Sequence, residues 1–343
     1  MLSPVRSKLM PVKSPLQRLT AILLLMLSPF ASAEEDPFDA IDRLLEAQFE
    51  ETDQSLEEQF IAIDQAMEAA YQRLSREVGA VWGEQETVLP TKSQWTDYSA
   101  DLTLRREFDF ENGVIRIEKV VEPETSIQTA VSEIARAAAA AATDSMADLD
   151  QKDHAVQYAR AELAEAGIEI PPSPGRKPVL ENLIELPSAE LITETIEARK
   201  PPMEKAAASL SAPVLAATET PLPAVGKKKI AIQIPFKQNH REVLANKYYA
   251  AIAREAARHD LEPSLLLAVV ETESSFNPRA RSPVPAYGLM QLVPRSGAMD
   301  AYQYLYGEPT LLGPDYLYEP DQNVELGAAY LNILTTRYLR QIT

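Results

Sequence analysis

The sequence predicts an α+β protein, mostly helical, with a small α+β N-terminal domain that carries long amphipathic helices ahead of a helical C-terminal domain. Three observations carry this. Residues 38–82 repeat apolar side chains at three- and four-residue steps; residues 95–117 repeat them at every second residue; and 241–273 return to helical patterning. The chain has 343 residues, room for two domains and their connections. Hydrophobic residues make up 45%, enough for a packed core. The 26 prolines against 11 glycines point to extended segments between packed parts.

The first 33 residues stand apart. Arg6, Lys8, Lys13 and Arg18 precede an apolar run from Leu19 to Phe30, and Ala31-Ser32-Ala33 leads into Glu34-Glu35-Asp36. A basic start, a short apolar middle and an A-x-A end read as a cleaved secretory signal peptide. The apolar run is 12 residues, short of the ~20 that span a bilayer. Cysteine is absent, so there is no disulfide, no thiolate metal site and no lipidated cysteine. Export without disulfides predicts the periplasm, with peripheral attachment to the outer membrane or to other cell-wall proteins left open.

Removing the leader takes away four of 33 basic residues, which leaves 29 against 51 acids, a net of −22. That balance argues against nucleic acid, whose phosphates demand Lys and Arg. No pairing of His240 or His259 suggests a metal, and neither metal nor organic cofactor is expected.

Along the chain, 38–82 reads as one or two long amphipathic helices with an acidic outer face, packed as a hairpin or against a core. Trp95, Tyr98, Ala100, Leu102 and Leu104, then Phe108 and Phe110, alternate as strand; Asn112-Gly113 marks a hairpin before Ile115 and Ile117. Helix resumes over 125–166, helped by the alanine-rich 137–142. Ten prolines between 168 and 226 read as a linker with a short helix at 188–198. The domains expected are therefore a leader over 1–33, an N-terminal α+β domain over 34–167, a Pro-rich linker over 168–227 and a C-terminal domain over 228–343, which opens with a strand-like run at Ile230, Ile232, Ile234 and Phe236.

The chemistry is expected at the end of the second helix of that last domain. Pro263 opens it, Leu265-Leu266-Leu267-Ala268-Val269-Val270 makes it apolar nearly all round and so buried, and Pro278 sets its end. Glu271 and Glu273 lie at that end. A carboxyl group on a buried helix terminus can hold its proton near neutral pH and act as a general acid. Two residues apart on a helix project about 200° from each other, so only one of the two faces a cleft; the spacing alone does not say which.

Glu273-Ser274-Ser275-Phe276-Asn277-Pro278, Ala280-Arg281-Ser282 and Ala286-Tyr287-Gly288-Leu289-Met290-Gln291-Leu292-Val293-Pro294 resemble the soluble-lytic-transglycosylase domain, with its E-S-x-F-N-P and G-L-M-Q-x-x-P signatures in order. Asn323 and Gly327-Ala328-Ala329-Tyr330-Leu331 resemble its N-x-x-x-G-x-x-Y-L helix. More broadly the chain resembles the membrane-bound lytic murein transglycosylase C type, loosely over about 36–165 and strongly after 235.

The resemblance implies a lysozyme-like C-terminal fold and peptidoglycan glycan strands as substrate. It implies Glu273 as the sole catalytic acid/base, protonating the oxygen between N-acetylmuramic acid and N-acetylglucosamine and then deprotonating the muramyl 6-hydroxyl to give a 1,6-anhydro end. By position it implies substrate-binding roles for Ser282, Tyr287, Gly288, Met290 and Gln291, with Tyr287 and Tyr330 as sugar platforms or core aromatics. The family's A-Y-N-x-G segment has no counterpart before Thr343. The expectation from this is an incomplete catalytic domain with exposed apolar faces on 241–259 and 321–339, and a catalytically silent peptidoglycan-binding or scaffolding protein as the alternative function.

Overall fold

A computed structural model describes residues 37–184, 217–283, 285–310 and 312–339. The leader expected over 1–33 and the short helix expected at 188–198 lie outside them. The chain divides into two compact units, Met1–Ser55 and Leu56–Thr343.

Helix α1 spans Pro37–Trp82 as one continuous helix rather than a hairpin. No glycine or proline interrupts residues 38–78, so nothing there supplies the turn a hairpin needs. Within the second unit its buried stripe is Phe60, Ile63, Met67, Ala70, Leu74, Val78 and Trp82, three and four residues apart. Gly83 at φ 92° then ends the helix.

Strands β1 (Gln94–Tyr98), β2 (Leu104–Asp109) and β3 (Val114–Val121) form two consecutive antiparallel hairpins. The Asn112-Gly113 turn is where the sequence places it, with Gly113 at φ 66° and the Asn112 amide donating to Asp109. The alternation from Trp95 to Leu104 is broken by a tight turn, in which Asp101 accepts from Ser99 and Thr103 and Leu102 takes a φ of 59°.

Helix α2 (Ile127–Thr143), α3 (Met146–Lys152) and α4 (His154–Glu165) divide the helical stretch read as 125–166. Each starts at a side-chain cap: Ser126, a Ser145/Asp148 capping box, and Asp153.

The expected linker is corrected only where it is described, at 168–184 and 217–227; residues 185–216 lie outside the described residues. Ile170, Val179, Leu180 and Leu183 are buried, and β4 (Thr218–Leu222) and β5 (Lys227–Pro235) complete a five-stranded sheet in the order β1-β2-β3-β5-β4. The run Ile230, Ile232, Ile234 therefore belongs to the sheet, pairing Ile232 with Ile117 and Ile234 with Ile115, not to a separate C-terminal domain. Pro221 is tolerated because β4 is an edge strand.

Helices α5 (His240–Arg258), α6 (Pro263–Ser274), α7 (Met299–Tyr306), α8 (Pro314–Tyr318) and α9 (Pro320–Ile333) follow. One buried cluster runs from Trp95, Phe108, Ile115 and Ile232 of the sheet through Leu244 and Ile252 of α5 to Leu266, Val324 and Leu326. The sheet and the C-terminal helices therefore share a core, and the boundary expected near 228 is not a boundary of packing.

Charges are buried on both faces of the sheet. Arg105 pairs with Glu118 and lies 3.0 Å from Glu107, and its guanidinium sits 4.3 Å over the Trp82 ring. Arg106 pairs with Asp97 and, at 2.8 Å, with Asp144.

Asp315, on α8, is 6% exposed, its Oδ1 has no hydrogen-bond partner, and burial raises its carboxyl from the usual range to about 6. The folded-state value lies above the unfolded one, so the folded protein loses stability as pH rises from about 4 to about 6, and the cost stays above that. Asp315→Asn should match the parent at pH 4 and exceed it above pH 6.5, by up to about 3 kcal/mol. Urea unfolding of both proteins at the two pH values measures this; equal differences at both would contradict it.

Candidate active site

Helix α6 presents a narrow buried face. Leu266, Val270 and Ser274 are buried, one turn apart, while Leu265 is 44% exposed and Leu267 and Val269 are half-buried. The expectation that this helix is buried all round is thus corrected: its apolar composition exceeds the single stripe the shared core covers. Tyr249 on α5 and Tyr338 and Leu339 beyond α9 are likewise exposed apolar side chains.

The helix stops abruptly. Ser275 and Phe276 both take left-handed backbone, φ 51° and 65°, at a cost of about 1–3 kcal/mol each for non-glycine residues. Burial of Phe276 against Tyr248, rings stacked 6.5 Å apart, and full burial of Asn277 hold that geometry. Asn277 accepts from the Arg279 amide at 3.0 Å and donates to the Lys92 carbonyl at 3.2 Å. Gln291 is a third strained residue nearby, φ 48°, and such strain clusters at functional sites.

The two acids at this terminus separate as the helical geometry requires. Glu271 is exposed and paired with Arg241 at 3.2 Å. Glu273 is half-buried and has no hydrogen-bond or ion-pair partner among the described residues. Beside it, the Ser274 hydroxyl lies 2.9 Å from both the Val270 and the Leu289 carbonyls, tying the helix end to the segment that carries the other expected site residues.

That segment folds back on itself. Arg281 bridges Tyr287, and Tyr287 bridges Leu292; the Ser282 amide donates to Ala286 at 3.2 Å. The Gly288 amide donates to Ala280, and Gln291 Nε2 donates to Ala280 and Gly288 at 3.2 and 3.1 Å. The fold therefore gathers Ser282, Tyr287, Gly288, Met290 and Gln291 beside the end of α6, with Ser282 and Gln291 half-buried.

The other three do not lie on an open surface. Tyr287 is 1% exposed, packs edge-on against Tyr318 at 5.5 Å, and burial pushes its phenol up to about 12; it is a core aromatic rather than a sugar platform. A Cβ on Gly288, at φ 76°, would overlap the Leu317 carbonyl and the Asn323 amide, so its close approach is to the protein itself. Met290 is 6% exposed and packs on Gly327 of α9. Tyr330 is half-buried, its ring 3.0 Å from where a Cβ on Gly297 would lie.

Two residues hold the site segment in ways the sequence reading did not give. Asn323, fully buried on α9, accepts from the Met290 amide at 2.7 Å and donates to the Tyr287 and Leu317 carbonyls at 2.9 and 2.8 Å. It was legible as part of a motif but not as the clamp on the site segment. Arg279 is 1% exposed, paired with Asp153 and stacked 4.5 Å over Tyr318. A charge between Pro278 and Ala280 in an otherwise compact motif is the signal that could have found it.

A family model described as Transglycosylase SLT domain matches residues 250–343. A second, Membrane-bound lytic murein transglycosylase C, N-terminal domain, matches residues 60–153. The first match takes in the helical C-terminal part with its α6 terminus. Proteins named membrane-bound lytic murein transglycosylase C from Haemophilus influenzae and Pectobacterium atrosepticum are 41% identical over 112 residues and 40% identical over 114 residues, in each case 33% of this chain and 31% of the relative. An inactive mutant of the lytic transglycosylase Slt from Pseudomonas aeruginosa is 37% identical over 26% of this chain and 14% of its own, with a TM-score of 0.24. Over the matched residues the chain is thus similar to membrane-bound lytic murein transglycosylase C, and it spans about a third of the length of the curated relatives it matches.

Asn323→Ala should destabilise the protein by about 2–4 kcal/mol, because three buried main-chain groups lose their partner together. Urea denaturation checks it; a loss under about 0.5 kcal/mol would show that Asn323 does not hold the segment.

Proposed function

We propose that this protein cleaves the glycan strands of peptidoglycan as a lytic transglycosylase, with Glu273 as acid and then base. The observation that carries the reading is the pairing state of the two acids: Glu271 is occupied by Arg241, while Glu273 is half-buried and has no partner among the described residues at a strained helix end. A carboxyl group there is free to exchange a proton with a substrate.

In the proposed reaction the Glu273 carboxyl protonates the oxygen linking N-acetylmuramic acid to N-acetylglucosamine, and the bond from that oxygen to the muramyl anomeric carbon breaks. The Glu273 carboxylate then removes the proton from the muramyl 6-hydroxyl as O6 bonds to the anomeric carbon. No water is consumed, the muramyl residue ends as a 1,6-anhydro sugar, and Glu273 returns to its starting protonation. The substrate's acetamido group assists in place of the second carboxylate found in glycoside hydrolases. Ser282 and Gln291 border the sugar subsites, and Tyr287, Gly288 and Met290 support them from beneath.

The relatives' names carry the word membrane-bound, and no helix among the described residues is long and apolar enough to cross a membrane. The proposal places the protein in the cell envelope, exported to the periplasm by its leader.

Mass spectrometry of muropeptides released from purified peptidoglycan tests the reading. Wild-type protein should release anhydromuropeptides and Glu273→Gln should lower their yield at least about 100-fold, the scale of lost general-acid catalysis. Reducing-end products would make the protein a hydrolase. Glycan binding unchanged by the substitution, with no products from either protein, would make it a binding or scaffolding protein.

A further inference from the structure

The loop that gathers the expected site residues lies between two arginines, and α1 faces both. Arg281 makes the loop's first bridge, to Tyr287, and immediately precedes Ser282; Arg295 lies just past its last bridge, at Leu292. Helix α1 carries Asp64, Glu68 and Tyr71 at four- and three-residue steps, a spacing that puts them on one face. The Glu68 carboxylate stands 4.0 Å from Arg281. Asp64, half-buried, acts electrostatically on both Arg295 and Arg281. Two carboxylates thus balance two guanidinium groups.

Charge alone does not seat Arg281. Its side chain is 12% exposed while Glu68 is 61% exposed, so the pair between them is long and screened by water. The close contact is aromatic: the guanidinium lies 3.9 Å over the Tyr71 ring. Tyr71 is buried, and its hydroxyl has no hydrogen-bond partner. The ring itself is fixed, because it belongs to the buried cluster that α1 forms with Trp82, Tyr98 and Leu163. A cation over a desolvated ring face is held by the ring's quadrupole, more strongly than at an exposed site. The Arg281 amide adds a bond to the Thr91 carbonyl at 3.3 Å.

We infer that Tyr71 is a positioning residue for the proposed reaction: its ring seats Arg281, and through Arg281 it sets Ser282 and Gln291 against Glu273. The loop passes a displacement on because it is closed. The Gly288 amide and Gln291 Nε2 both donate to Ala280, and the Ser274 hydroxyl ties the end of α6 to the Leu289 carbonyl. Groups that surround a reacting bond lose much of their effect when they move by a fraction of their own size. A helix of the N-terminal part therefore sets the rate at a carboxyl carried by the C-terminal part. The inference rests on the proposed function for the reaction, not for the seating of the loop.

Turnover of soluble, uncrosslinked glycan strands by the full chain tests this, together with amide hydrogen exchange over residues 281–292. Both are measured where circular dichroism shows every variant folded. Tyr71→Leu removes the ring; it should lower kcat about tenfold or more, change KM less than about threefold, and speed exchange in the loop. Tyr71→Phe keeps the ring and loses only the unpartnered hydroxyl, so it should retain the parent's kcat and exchange. Arg281→Lys keeps the charge and loses the planar stack. It should lower kcat as Tyr71→Leu does, cost little more when added to it, and carry the test if Tyr71→Leu fails to fold. A parent-like kcat in Tyr71→Leu, a loss in Tyr71→Phe as large as in Tyr71→Leu, or a rise confined to KM overturns the inference. So does an equal loss in Asp64→Asn, which would make charge the seat of Arg281. If the parent releases no product, the proposed function falls and exchange alone decides the seating. Equal rates in the parent and Tyr71→Leu then overturn it, and faster exchange in Tyr71→Leu but not Tyr71→Phe sustains it.

Discussion

The geometry of the candidate site depends on where one buried cation is held. Arg279 follows the strained end of α6, and its side chain reaches Asp153, the residue that also caps α4 by accepting from the Val156 amide at 3.1 Å. One carboxylate therefore fixes the start of a helix in the N-terminal part and the segment that turns away from Glu273. Tyr318 lies under the guanidinium at 4.5 Å, and Asp153 and Tyr318 between them hold the Arg279 side chain charged, above even the usual arginine value, against the opposing effect of burial. Removing one partner from such a pair leaves an uncompensated charge in the interior, which costs far more than the pair itself contributes.

Around that link the rest of the segment is held from the same side. Asn277 donates to Lys92, Arg281 to Thr91, and the Arg281 guanidinium covers Tyr71. From the opposite side Asn323 clamps Tyr287 and Met290. The segment carrying Ser282 and Gln291 is thus gripped between α9 and the N-terminal part, with its strain at Ser275, Phe276 and Gln291 maintained by fixed partners. The shared core beneath, from Trp95 to Val324, gives both grips a common foundation.

This arrangement explains which features were legible in the sequence. Periodicity placed α1, the β2–β3 hairpin, α5 and α6, because each buries one face against the core. It misjudged the described parts of the expected linker, 168–184 and 217–227, because proline content signals an extended backbone but not whether that backbone is packed; Ile170, Val179 and Leu183 are buried. It also overstated the burial of α6, since Leu265, Leu267 and Val269 are apolar without being covered. For the candidate site, the motif marked one neighbourhood with Glu273 in it, while the inward placement of Tyr287, Gly288 and Met290 came only from long-range packing on Tyr318, Asn323 and Gly327. Arg279 was invisible because its partner, Asp153, lies 126 residues away.

A double-mutant cycle on that pair tests the account most directly. Stability would be measured by urea unfolding for the parent, Asp153→Ala, Arg279→Met and the double variant. If the ion pair seats the site segment, each single substitution costs about 3–5 kcal/mol, while the double variant costs at least about 2 kcal/mol less than their sum. Costs that add to within about 0.5 kcal/mol would show that Arg279 and Asp153 act independently, and that the segment behind Glu273 is held by something else.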